Sequence, residues 1–215
     1  MKPPKALLLD LDGTLCDTLP DLARAVNHAR ARLGWTPMPP DAVKVHLGDG
    51  ARELLMGCTG LDGTTVDLML PHWREHYGAH CAEETTLLPG ARELLDRARA
   101  RAIPMAVVTN KPAGISERIL EALGVRGRFA CVVGGDSLPV RKPDPAMVRE
   151  ALRAVGGVAP ADAWLVGDGP QDIEAARAAG AVAILVPGYG DLRRAREAGP
   201  DLELPDLAAV AAHLA

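Results

Sequence analysis

The sequence predicts an α/β fold, a doubly wound parallel sheet with an α-helical cap inserted after its first strand. Short apolar runs alternate with amphipathic segments, as expected of a parallel sheet covered on both faces. Acidic loops close two of those runs directly. One early stretch of about 65 residues shows helical pattern alone, too long for a loop inside a compact domain.

Ala6–Leu11 is a compact apolar run, read as a buried strand. From Thr18 to Ala82 the expected helices are Leu19–Leu33, Asp41–Val45, Ala51–Met56 and Thr64–Tyr77. Pro37, Pro39 and Pro40, with Gly48, Gly50, Gly57 and Gly60, punctuate them. The expected division is therefore a core of residues 1–17 and 83–215 and a cap of residues 18–82. The chain re-enters the core near Leu88–Gly90, where Pro89 opens a helix through Arg101. Ile103–Val108, Phe129–Val133, Ala163–Val166 and Ala181–Val186 read as further strands. Pro112–Leu123, Pro145–Val155 and Gln171–Ala179 read as helices, each followed by glycine, which readily ends a helix. The last third is rich in alanine and arginine without a motif.

A chain of 215 residues can bury one good core and a smaller companion domain. Its residues are 48% hydrophobic but interrupted throughout by charge, the composition of a globular protein. A net charge of −4 and 3% aromatic residues offer a nucleic acid neither attraction nor a stacking platform. The opening apolar run is far too short for a signal peptide core or a membrane span. A soluble cytoplasmic protein without a nucleic-acid or membrane partner is expected. Cys16, Cys58, Cys81 and Cys131 form no close pair, so four free thiols are expected, not a metal or redox motif.

Chemistry concentrates where apolar runs end. Asp10-Leu11-Asp12-Gly13-Thr14 follows the first, and strand alternation would send Asp10 and Asp12 to one side. Two converging carboxylates repel each other unless a cation sits between them. Gly167-Asp168-Gly169-Pro170-Gln171-Asp172 follows another strand. Asp168 falls at the strand end, and Asp172 lies in the first turn of a helix, where it could equally serve the helix dipole. Carboxylates gathered from two strand ends make an all-oxygen site for a hard cation, best suited to Mg²⁺. Thr109 and Asn110 stand at a strand-to-helix turn, a common phosphate site, although both residue types also cap helices. Lys142 precedes another helix. The chain holds five lysines against nineteen arginines, so a lysine beside Arg141 suggests that a compact point charge is wanted there. In the helical insertion, Gly48-Asp49-Gly50 leads into a helix whose first turn carries Arg52. Its free amides and the guanidinium could read an anion; a solvated surface arginine is the alternative.

Asp-Leu-Asp-Gly-Thr-Leu at 10–15, Val-Thr-Asn at 108–110, Lys-Pro at 142–143 and Gly-Asp-x-x-x-Asp at 167–172 occur in this order. Together they resemble the haloacid dehalogenase superfamily of phosphotransferases, over essentially the whole chain. The resemblance implies a Mg²⁺-dependent phosphatase acting on a small phosphomonoester through a phospho-aspartate. It implies Asp10 as nucleophile and metal ligand, and Asp12 as general acid–base with its backbone carbonyl on the metal. Thr109 and Asn110 would hold phosphoryl oxygens, Lys142 would neutralise nucleophile and phosphate, Asp168 would complete the metal shell, and Asp172 would bind or orient the metal. The dehalogenase branch does not use a carboxylate at the position of Asp12, so its presence argues for phosphotransfer. Leu47–Ala51, Val108–Pro112, Gly134–Ser137 and Pro187–Gly190 are similar to bacterial phosphoglycolate phosphatases, with Arg52 the candidate reader of that substrate's carboxylate. Alternatives are a phosphatase for another small metabolite, a sugar-phosphate mutase, a phosphonatase using Lys44, and a phospho-acceptor signalling domain.

Overall fold

The structure, a computed structural model, describes residues 2–214. Strand β1 (Ala6–Leu9) is four apolar side chains, all without solvent exposure. A run buried on both faces must lie inside a sheet, and β1 is its centre. Strand β2 (Cys16–Asp17) then leads into helices α1 (Leu19–Ala31), α2 (Pro40–Lys44), α3 (Ala51–Thr59) and α4 (Gly63–His80). Strand β3 (Thr86–Leu87) returns antiparallel to β2, so two short strands form the stem of the inserted helical cap. Each main cap helix buries one face, as Leu22, Val26 and Ala29 do on α1 and Val66, Trp73 and Tyr77 on α4.

Beyond the stem come α5 (Ala91–Ala100), β4 (Met105–Val108), α6 (Ala113–Ala122), β5 (Cys131–Val133) and α7 (Ala146–Ala154). They are followed by β6 (Ala163–Gly167), α8 (Pro170–Ala179), β7 (Val182–Leu185), α9 (Leu192–Glu197), β8 (Leu202–Glu203) and α10 (Leu207–His213). The six-stranded sheet has the order β5-β4-β1-β6-β7-β8, and its pairs are parallel. Leu7 and Leu9 pack into the layer that holds Leu94 of α5 and Val210 of α10. Ala6 and Leu8 face the opposite layer, with Val148 of α7 and Ile173 of α8. Among the described residues no helix is long and apolar enough to cross a membrane, and all four cysteines are free.

The structure corrects several expected boundaries. The first strand stops at Leu9, not Leu11. The Cys16 and Leu15 amides both bond to Leu11 O, folding 11–16 into a turn. Gly13 takes φ +77° in that turn, so the neighbouring positions of Asp10 and Asp12 come from a turn, not from strand alternation. Helices α9 and α10 and strands β2, β3 and β8 were not foreseen.

One buried carboxylate secures the stem. Asp21, in the first turn of α1, accepts hydrogen bonds from Glu84 N, Thr85 N, Thr85 Oγ1 and Arg24 Nη2 at 2.6–3.1 Å. It ties the outgoing helix to the residues that precede β3, with the added benefit of a negative charge at a helix N-terminus. Asp21→Ala strands those donors in a buried site and is expected to lower the unfolding free energy by about 3 kcal/mol. Urea denaturation checks this, and a loss below about 1 kcal/mol would show that the stem does not depend on Asp21.

Candidate active site

In this sheet the chain moves outward from β1 through β4 to β5, then returns to the other side of β1 for β6, β7 and β8. The reversal leaves a crevice beyond the carboxyl ends of β1, β4 and β6, where open α/β sheets bind ligands. Asp10 follows β1, Thr109 to Lys111 follow β4, and Asp168 follows β6. These residues and Asp12, Asn110 and Lys142 line one cavity of about 50 Å³ of water-accessible volume. Leu22, Leu47, Leu54 and Trp73 of the insertion complete its wall, so the cap is part of the site.

The cavity floor is organised by Lys142. Its Nζ donates to Asp10 Oδ1 at 2.8 Å, Asp172 Oδ1 at 2.6 Å and Val108 O at 2.7 Å. An ammonium has three N–H bonds, and all three are used. A planar guanidinium could not present the same three directions from one atom. Burial works against this cation, but Asp10 and Asp172 outweigh it and hold its pKa above the usual lysine value. Asn110 fixes the loop that carries the lysine: its Oδ1 accepts Lys142 N at 2.9 Å, and its Nδ2 donates to Lys142 O at 3.0 Å. The same Nδ2 reaches Gly48 O of the insertion at 3.0 Å. The Asn110 side chain is thus committed to the protein, and its amide group is not directed to a ligand.

Burial pushes the Asp10 carboxyl up to about 7, with Lys142 pulling the other way and Asp172 and Asp168 adding to the rise. Asp168 is pushed up to about 6 by burial and Asp172, against hydrogen bonds from Gly190 N, Thr14 Oγ1 and Tyr189 N. Those bonds measure 2.8, 3.0 and 2.5 Å. The packing around Asp168 leaves no spare room. A Cβ on Gly13 would lie 2.6 Å from Asp168 Oδ2 and 2.7 Å from the Tyr189 ring, at a φ unfavourable to other residues. Tyr189 continues outward, its hydroxyl bonding Asp17 and accepting Leu19 N at 3.1 Å, so the same loop reaches the start of the cap.

Asp12 is held separately. Lys111 Nζ lies 2.8 Å from both of its oxygens, and Thr18 Oγ1 donates to Oδ1 at 2.5 Å. Lys111 is buried and sits 4.9 Å from the Tyr77 ring centroid. Sequence reasoning did not give it a role. The signal was available, since Lys111 is another of only five lysines in an arginine-rich chain.

Ligand oxygens of Asp10, Asp168 and Asp172 all lie within 4.8 Å of one another. Four carboxylates, Asp10, Asp12, Asp168 and Asp172, face two ammoniums, leaving a formal excess of two negative charges. Burial is the main cause of the raised Asp10 and Asp168 values, and the neighbouring carboxylates add to it. An all-oxygen, doubly negative cluster fits a hard divalent cation. The Asp12 carboxylate is outside this cluster, which leaves only its backbone for the expected metal contact. Asp172 is nearer than a supporting role required: it belongs to the cluster while holding Lys142. Thr109 lines the cavity, its hydroxyl accepting Lys111 N at 3.2 Å.

Arg52 is corrected. Its Nε and Nη2 reach the two oxygens of Asp67 on α4, at 2.7 and 3.2 Å, and its Nη1 lies 3.4 Å from Met56 Sδ. The guanidinium is half exposed between two cap helices and does not line the cavity. An acidic partner on the adjacent helix, invisible as such in the sequence, directs it away from the site.

Residues 4–180 match the family model of the haloacid dehalogenase-like hydrolases. The chain is 38% identical over 215 residues to the phosphoglycolate phosphatase of Chromobacterium violaceum, covering 97% of this chain and 95% of that one. Among solved structures it resembles a protein of Haemophilus somnus described as a predicted phosphoglycolate phosphatase, with a TM-score of 0.88, 30% identity, and coverage of 98% and 97%. It also resembles CbbY of Rhodobacter sphaeroides, solved in complex with phosphate, with a TM-score of 0.81, 29% identity, and coverage of 98% and 99%.

The close packing at Gly13 makes a direct test of the cation site. Gly13→Ala must displace Asp168 or Tyr189, and Mn²⁺ or Mg²⁺ affinity measured by calorimetry is expected to fall at least about tenfold, the scale of a disturbed metal-ligand environment. Unchanged affinity in the folded variant would remove Asp168 from the cation site.

Proposed function

The chain belongs to the haloacid dehalogenase-like hydrolases, and we propose that it hydrolyses 2-phosphoglycolate with Mg²⁺, through a phospho-aspartate on Asp10. It is a phosphoric monoester hydrolase, and its family uses a divalent metal; the substrate, the choice of Mg²⁺ and the residue roles are our reading. The observation that carries it is the buried pairing of Asp10 with Lys142 beside Asp168 and Asp172. A carboxylate can approach a phosphate dianion only where that much negative charge is offset. The division into core residues 1–17 and 83–215 and cap residues 18–82 belongs to the same proposal, with the cap closing over a small substrate.

Asp10 uses Oδ1 for Lys142, and no described residue hydrogen-bonds its Oδ2. In the first step an oxygen of Asp10 forms a bond to phosphorus as the bond from phosphorus to the glycolate oxygen breaks. The leaving oxygen takes its proton from Asp12, which takes that proton up from solvent as substrate binds and so enters the step as the carboxylic acid. In the second, water attacks the phosphoryl group, its proton passes to Asp12, and Asp10 is released unchanged with inorganic phosphate. Asp168, Asp172 and Asp10, with the Asp12 carbonyl, would hold Mg²⁺, which when bound offsets charge on the phosphoryl oxygens. Lys142 keeps Asp10 in place throughout, and Thr109 with the backbone at Asn110 supports the phosphoryl oxygens. Splitting the reaction in two and neutralising charge are what a reaction this slow without catalysis requires.

Phosphate release from a panel of small phosphate esters tests the reading. Wild-type protein with Mg²⁺ is expected to prefer 2-phosphoglycolate and to lose activity in excess chelator. Asp10→Asn keeps the fold and is expected to lose at least about 10⁴-fold in kcat, since the amide cannot form the acyl phosphate. Substantial turnover by that variant would contradict covalent catalysis, and preference for another ester would reassign the substrate.

A further inference from the structure

A small substrate with a carboxylate beyond its phosphate needs a group to read that charge. Among the described residues lining the cavity, the cations are Lys111 and Lys142. All three donors of Lys142 are occupied in holding Asp10, Asp172 and Val108 O. Lys111 has only the two oxygens of Asp12 as hydrogen-bond acceptors, with the Tyr77 ring beneath its ammonium. The opposite, cap-side wall is mostly apolar, but it includes Trp73, which is 3% exposed. Its indole Nε1 is buried with no hydrogen-bond partner. A buried N–H without an acceptor is rare and costs stability, and one on a residue that lines the ligand cavity is open to an acceptor that the ligand supplies.

We propose that Lys111 from the core and the Trp73 N–H from the cap form the subsite for the substrate's carboxylate. This rests on the 2-phosphoglycolate reading and extends it to phosphomonoesters whose short organic end carries a carboxylate. On binding, Lys111 exchanges the Asp12 oxygens for those of the substrate, which leaves Asp12 open to the leaving oxygen. Trp73 satisfies its N–H on the same carboxylate. A substrate with no such group leaves Lys111 across Asp12 and the indole N–H unmade, so selectivity and the release of Asp12 come from one contact. The contact also joins cap to core, because α4 supplies Trp73 and the loop after β4 supplies Lys111.

The test compares 2-phosphoglycolate with ethyl phosphate, which has a methyl group where the carboxylate stands. The measured quantity is the ratio of their kcat/KM values, from which the fraction of correctly folded enzyme cancels. Lys111→Met is expected to reduce that ratio at least about 100-fold, the discrimination a site gains from a buried charge-assisted contact. Trp73→Phe keeps an aromatic side chain but removes the N–H with part of the indole, a loss of packing common to both esters that cancels in the ratio. It is expected to reduce the ratio about tenfold, mainly by raising KM for 2-phosphoglycolate. If wild type prefers 2-phosphoglycolate and both variants keep its ratio, the subsite is overturned while the substrate reading stands. Equal losses on both esters in Lys111→Met would likewise overturn it and make Lys111 a positioning residue for Asp12 alone. Wild-type indifference to the two esters would overturn the substrate reading and the subsite with it.

Discussion

The site depends on one buried ammonium. Lys142 draws together Asp10 from the end of β1, Val108 O from the end of β4 and Asp172 from the first turn of α8. Each of these is fixed by the sheet or a helix behind it, so the lysine is the point where three elements converge. An ion pair this deep repays its desolvation only with near-ideal geometry and every donor satisfied. The three short contacts meet that condition. Asn110 holds the lysine's backbone through both its N–H and its C=O, which fixes the position from which the charge is presented. Removing the lysine would leave the Asp10 and Asp172 carboxylates without their shared cation.

The cap communicates with this cluster through polar contacts at its edges. Asn110 Nδ2 reaches Gly48 O of the cap while it holds the Lys142 loop. Tyr189 gives its backbone N–H to Asp168 and engages Asp17 and Leu19 with its hydroxyl, where the chain enters α1. Asp21 closes the stem one turn later. These contacts join the cap to the residues that carry the carboxylates.

Much of this was legible in the sequence because the relevant chemistry is local. Asp10 and Asp168 sit where apolar strands end, with Asp172 in the helical turn that follows, and a strand end in a parallel sheet opens on the ligand crevice. Lys142 was legible from the chain's preference for arginine elsewhere. What escaped depends on partners distant along the chain. Asp12 and Lys111 are 99 residues apart, and Asp21 and Thr85 are 64 apart. No local pattern announces such pairs. Arg52 was misread for the same reason, since Asp67 on the neighbouring helix outcompetes the cavity for its guanidinium. Helix α10 is different: Asp206 caps it by accepting Ala209 N, and Leu207, Val210, Ala211 and Leu214 are its buried face. That spacing is a helical stripe in plain view, obscured by alanine-rich surroundings.

The central claim is that Lys142 holds Asp10 as a carboxylate able to accept a phosphoryl group. Rapid acid quench during turnover of ³²P-labelled 2-phosphoglycolate, followed by peptide mapping, tests it most directly. The account predicts acid-stable, alkali-labile label on the peptide containing Asp10, and no label when Lys142 is replaced by Met. Phosphate release without label on that peptide, or undiminished labelling in Lys142→Met, would contradict it.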